Sequence, residues 1–228
     1  MLIFQPLAKF CIYDIRMKNI SVILFLLLLF GCSKHKLKQP CTIHLSTKFV
    51  PQGNVNDVMY SGDMNVSRIT FSGERKEGTA VEIEQEFENG HFELVQNQSL
   101  AICMDVPVGT YHEFEFKLRL DQDNSLDLIK ANYGPTSKPI LIRFSDDLNL
   151  KFRNTEKSPE LRKKEDYNCV LIWDFGGLLA GISNIDIENG ETQMIDGVEH
   201  VVMSNTTNHD LFIKVKGNLK ESMRAKFE

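Results

Sequence analysis

Oxygen-bearing side chains alternate along Asp121-Gln122-Asp123-Asn124-Ser125-Leu126-Asp127. Asp121, Asp123, Ser125 and Asp127 at that spacing suit a hard cation such as calcium, which is held by several oxygens from one short loop. Leu126 stands where the helix–loop–helix calcium motif needs glycine, and Asn132 where it needs a bidentate glutamate, so a solvated acidic loop explains the same residues. Paired carboxylates of the kind used in glycoside hydrolysis occur at Asp146-Asp147 and at Asp186 with Glu188. With 31 acidic residues in the chain, such pairs also arise by chance. The six histidines form neither H-x-H nor H-E-x-x-H, and there is no G-x-S-x-G elbow. Gly176, Gly177 and Gly181 lack both the Walker lysine and the dinucleotide-binding spacing, so they read as a turn or a close packing point. No catalytic constellation emerges, and a non-enzymatic role is expected.

Cysteine and aromatic residues carry the remaining candidate chemistry. Cys41, Cys103 and Cys169 are an odd set, which allows one disulfide and leaves one thiol over. Cys169 falls in phase with Leu171, Trp173 and Phe175 and reads as a buried, inert thiol. A reactive cysteine needs a neighbouring base, and the sequence displays none. Trp173, the single tryptophan, reads as core, with a sugar-stacking platform as the alternative. Tyr60, Tyr111 and Tyr133 lie at expected turns, where exposed aromatics would serve a binding edge.

The elements that must position these residues have a period of two. In His112–Leu120, Phe114, Phe116, Leu118 and Leu120 share one face, while Glu113, Glu115, Lys117 and Arg119 share the other. That alternation is a half-buried antiparallel strand with a wet outer side. The same pattern runs through Val81/Ile83/Phe87, Leu100/Ile102/Met104/Val106, Ile43/Leu45/Phe49, Ile140/Ile142/Phe144, Leu148/Leu150/Phe152 and Leu211/Ile213/Val215. Asn89-Gly90 and Asn189-Gly190 are expected as type I′ hairpin turns. Helix signals are few: Ser158-Pro159-Glu160 suits a short helix through Lys164, and Asp127–Ala131 suits a single turn. The expected body is an all-β, antiparallel β-sandwich of about nine or ten strands over 41–217, with 218–228 as a charged, fraying tail.

Composition supports a folded body: 42% hydrophobic and 25% charged residues, in the ordinary range for a globular chain. A formal charge of −5 lacks the electrostatic footprint of a nucleic-acid binder. The segment Met17–Cys32, MKNISVILFLLLLFGC, is different in kind. Lys18 precedes the run Ile20–Phe30, apolar except for Ser21. As a helix that run is about 16 Å long, roughly half a bilayer core, which suits a secretory signal better than a span. It closes on Leu29-Phe30-Gly31-Cys32, which resembles the lipobox of bacterial lipoprotein signal peptides. The resemblance implies acylation of Cys32, cleavage after Gly31, and a membrane partner reached through the lipid. It makes 1–31 a signal peptide, with translation expected from Met17, and 32–40 a lipidated basic tether. Ser33 after the cysteine, where Asp would retain the protein in the inner membrane, implies the outer membrane. The body is then expected to face the periplasm, with the cell surface as the alternative.

Val106-Pro107-Val108-Gly109-Thr110-Tyr111 joins two of the clearest strands. Such a P-x-G-x-Y turn resembles an edge of transthyretin-like (prealbumin-like) sandwiches, which makes a transthyretin- or immunoglobulin-like sandwich the expected fold. Pro stops the ladder, Gly takes a positive φ and Tyr covers the sandwich end. The order of lipobox, early strands, Phe92-Glu93-Leu94-Val95, this turn and Trp173-Asp174-Phe175 resembles uncharacterised bacterial lipoproteins with such a predicted sandwich. That resemblance brings no established activity with it; the absence of a catalytic constellation, with analogy of fold, makes a binding or assembly module for a glycan or another envelope protein the expected role, with no cofactor beyond the calcium loop. A fimbria-like structural subunit and a hydrolase using paired carboxylates are the other two readings.

Overall fold

Alternation decides which residues meet in the core. The computed structural model describes residues 40–50, 58–88, 90–94, 99–121, 126–132, 136, 138–154 and 159–228. They belong to one unit, Gln39–Glu228. The strands are β1 (Cys41–Val50), β2 (Val58–Ser61), β3 (Asp63–Arg75), β4 (Val81–Glu86), β5 (His91–Glu93), β6 (Ser99–Val106), β7 (Gly109–Leu120), β8 (Leu126–Asn132), β9 (Ile140–Phe144), β10 (Leu148–Asn154), β11 (Glu160–Leu161), β12 (Asp166–Asp174), β13 (Thr192–Ile195), β14 (Val198–Met203) and β15 (Met223–Phe227). Among the described residues three helices interrupt them: α1 (Phe175–Leu178), α2 (Asn184–Glu188) and α3 (His209–Ser222).

One sheet has ten strands, in the order β4-β3-β7-β10-β15-β12-β1-β6, with β11 on β7 and β5 on β3. The other has five, β13-β14-β9-β8-β2. The all-β expectation holds. The expected antiparallel pattern does not hold throughout, because β1 with β12, β10 with β15 and β14 with β9 run parallel. Long connections between non-consecutive strands allow this; only two-residue hairpins enforce antiparallel neighbours.

The apolar faces read from the sequence are buried as expected: Phe114, Phe116, Leu118 and Leu120 on β7, Ile43, Leu45 and Phe49 on β1, and Leu148, Leu150 and Phe152 on β10. Side chains of both sheets and of α3 enter one core. Phe212 of α3 meets Phe144 of β9 with ring centroids 5.0 Å apart. Trp173 is core, stacked on Phe49 at 5.4 Å and edge-on to Phe152 at 5.3 Å. Among the described residues its indole N–H has no hydrogen-bond partner, a cost of about 1–3 kcal/mol carried by its packing.

Several local expectations are corrected. Leu211, Ile213 and Val215 are not a strand face. They lie in α3, whose buried residues Phe212, Val215, Leu219 and Ser222 follow helical spacing, and Ile213 is 51% exposed. Both periods fit this short segment, and the longer helical stripe buries more. Residues 218–228 are not a tail: they finish α3 and form β15 between β10 and β12. Asp127–Ala131 is strand β8, not a helical turn. Of the expected helix from Ser158 to Lys164, Glu160–Leu161 is a short strand and Lys164 has φ +60°; Ser158 lies outside the described residues.

The turn chemistry is also redistributed. β4 and β5, on either side of Asn89-Gly90, both pair antiparallel with β3, so they run the same way and are not a hairpin. Gly90 is needed because a Cβ there would collide with the Val66 carbonyl oxygen. Asn189 caps the C-terminus of α2. The primed hairpin is Asp196-Gly197, φ +51° and +79°, between β13 and β14, the geometry that matches strand twist. At the Pro107–Tyr111 turn Gly109 takes φ +152°. Tyr111 is fully buried there, donating its hydroxyl to the Pro107 carbonyl at 2.6 Å.

Deleting residues 223–228 should cost at least about 3 kcal/mol. It removes the buried Met223 and Ala225 and uncovers the facing edges of β10 and β12. Denaturant unfolding is the measurement; a truncated chain with the parent midpoint would show that β15 is peripheral.

Candidate functional site

The outer face of the ten-stranded sheet is strongly charged, and ion pairs tie up much of it. Arg68 on β3 bridges Glu84 and Glu86 on β4. Arg119 on β7 reaches Asp121 at 3.1 Å and Asp147 at 3.5 Å. Glu115 takes Arg153 at 2.8 Å and Lys151 at 3.8 Å. These are exposed pairs that each contribute little to stability, but they leave a strongly polar surface.

At one end of that face lies an open groove of about 770 Å³. Glu74 and Glu82 line it from the β3 and β4 side, Glu113 and Glu115 from β7, and Arg153 and Asn154 from β10. Carboxylates, an amide and one guanidinium are groups that hydrogen-bond hydroxyl-rich or peptide ligands. In the sequence these residues look like the wet side of ordinary strands, with nothing to mark them as a site.

The expected calcium loop is only partly described. Asp123 and Ser125 lie outside the described residues. Asp121 pairs with Arg119, and Asp127 takes Arg143 at 2.6 Å and Lys130 at 3.5 Å. Among the described residues no group of three His, Cys, Asp or Glu side chains is placed to hold a metal. Cys32 and Gly31 also lie outside the described residues. Among the described residues no helix is long and apolar enough to cross a membrane.

Each carboxylate of the hydrolase reading has its own structural partners. Asp146 accepts from the Asn205 amide at 2.9 Å and sits 3.7 Å from the Lys216 ammonium. Asp186 forms a reciprocal capping box with Ser183 at the start of α2. That hydrogen bonding holds its carboxyl below the usual range, the opposite of what a general acid needs. Of the three tyrosines expected at exposed turns, Tyr111 is buried, the cost of covering Gly73, where a Cβ would come within 2.5 Å of its ring. Tyr133 lies outside the described residues.

The cysteines divide by face. Cys41 and Cys169 point inward and Cys103 outward, and among the described residues all three are free thiols. Cys41 donates to the Val106 carbonyl at 3.3 Å, and burial pushes its thiol up to about 11. Burial also pushes the Cys169 thiol up, as its phase on the strand implied. Cys103 differs from the expectation that no base stands near a cysteine. His44 is its cross-strand partner on β1, and Cys103 Sγ lies 3.1 Å from His44 Nδ1. On the far side of His44, in the same row, stands Asn168 of β12. Both side chains were readable as outward-facing from Ile43/Leu45 and Ile102/Met104; their adjacency was not.

No family model matches the chain, and neither a curated protein nor a solved structure matches it.

The titrations of two buried groups give a pH test. Burial lifts the Cys41 thiol from 9.0 to about 11 and the Tyr111 phenol from 10.0 to about 12. In the unfolded chain both ionise first, so their contribution is complete below about pH 9 and is lost as pH rises through 11 to 12. The urea midpoint should stay level through neutral pH and fall above pH 9. Tyr111→Phe starts about 1 kcal/mol less stable, having lost one hydrogen bond, and falls less steeply above pH 10. Parallel curves for parent and variant would exclude the phenol as a cause.

Proposed function

We propose that the chain is an acyl-anchored cell-envelope lipoprotein whose β body is a non-catalytic binding or assembly module. The observation that carries this reading is the run Ile20–Phe30 closed by Gly31-Cys32, just ahead of a separate folded unit that starts at Gln39. Cleavage after Gly31 leaves Cys32 at the new N-terminus with acyl chains on it. Two or more chains hold a protein to a bilayer stably, where one does so marginally. Lys34, Lys36 and Lys38 then lie where anionic headgroups attract them, and Ser33 favours the outer membrane with the body facing the periplasm.

The finer fold reading belongs here too. We take the two sheets to pack as a sandwich of the transthyretin kind, supported by the core they share and by the Pro107–Tyr111 turn. The polar groove between β3, β4, β7 and β10 is the place for a ligand, a glycan or a segment of another envelope protein. Calcium is not required by this reading, because Asp121 and Asp127 already carry arginine partners; an array of glycans probed with and without calcium separates the cases.

Intact mass of the membrane-extracted protein should show a chain beginning at acylated Cys32. The Cys32→Ala variant should keep its full length and lose the acyl mass. Equal lengths and no acyl mass on either protein would overturn the anchoring.

A further inference from the structure

We propose that Cys103 is a thiol–disulfide exchange site, with His44 as its base, which takes low-molecular-weight disulfides into a mixed disulfide. The inference goes beyond anchoring and ligand binding, and depends on neither. Three observations meet at one place. The thiol is exposed, whereas Cys41 and Cys169 are sealed in the core. An imidazole nitrogen is 3.1 Å from its sulfur. The strand that carries it, β6, ends the ten-stranded order among the described residues, with β1 as its paired neighbour.

The register holds the pair together. His44 faces Cys103 across β1 and β6, and Asn168 stands beyond His44 on β12, in one row of nucleophile, base and amide. The ionisable groups sharing this face are Asp105 on β6, Lys48 on β1, Asp166 and Asp174 on β12, and Arg224 and Lys226 on β15, with Arg224 paired to Asp174 at 3.4 Å. Asp105 is engaged by the Thr42 hydroxyl at 3.0 Å.

In the tautomer that leaves Nδ1 bare, the Cys103 proton passes to His44. The sulfur then attacks one sulfur of a disulfide RS–SR. The bond from Cys103 to that sulfur forms as the S–S bond of the reagent breaks, and the departing RS⁻ recovers the proton from His44. Cys103 is oxidised, the departing thiol is reduced, and no other oxidant is consumed.

An ordinary thiol is only a few per cent thiolate at neutral pH, and nucleophilicity falls with pKa, so the expected gain from His44 is about tenfold. The test uses the full chain with glutathione disulfide, and peptide mass mapping to identify the cysteine that carries the adduct. At pH 7 the native protein should gain the adduct on Cys103 and not on Cys41 or Cys169. His44→Gln should slow Cys103 about tenfold at pH 7 and converge with the parent in strong alkali, where an unassisted thiol ionises. A parent unfolded in urea gives the same comparison without a variant: Cys103 slows while Cys41 and Cys169 become reactive. Cys103 left unmodified in the native protein, or reacting at the same rate without His44, would overturn the proposal.

Discussion

Strand β15 uses both of its edges: it runs parallel to β10 and antiparallel to β12. On one side of it lie β4, β3, β7 and β10, and on the other β12, β1 and β6. The backbone groups of β10 and β12 that face each other across this slot need partners, because unpaired buried amides are costly. The C-terminal residues supply them, and Met223 and Ala225 close the core behind them. The groove on one half-sheet and the thiol row on the other therefore belong to one body only while this strand is seated. Helix α3 delivers it, packing Phe212, Val215 and Leu219 inward on the way.

The same pleat that builds the core sorts the chemistry. Odd-numbered residues of β1 from Cys41 to Phe49 go inward, and His44 goes out with Thr42 and Ser46. On β6 the even-numbered residues go inward and Cys103 goes out. Two cysteines become inert by burial, and the third meets an imidazole that its own local sequence does not announce. The charged residues of β3, β4, β7 and β10 are sorted in the same way onto a wet face, where they pair among themselves and border the groove.

Glycine and tyrosine at the Pro107–Tyr111 turn show how a short motif reaches its effect through distant residues. Gly109 permits the turn, but Tyr111 is locked by Gly73 and by an edge-on contact with Phe71, ring centroids 5.3 Å apart. The ring is buried and so serves stability and not recognition. The alternation in Leu211/Ile213/Val215 is the converse case: a real local pattern that a stronger helical stripe overrides, because burying Phe212, Val215 and Leu219 removes more apolar surface from water.

Local sequence by itself determined the strand faces, the buried phase of Cys169 and Trp173, and the positive φ at Gly109, since each depends on a side-chain period or a backbone preference within a few residues. It also marked Ile20–Phe30 and Cys32 as unlike the rest of the chain. Tertiary structure alone decided the three parallel pairings, the place of β15, the shared direction of β4 and β5, and the meeting of His44 with Cys103. Those are registers between segments far apart in the chain. Closing a long loop costs nearly the same free energy for many competing partners, so the choice falls to the packing of the whole core, which no local window contains.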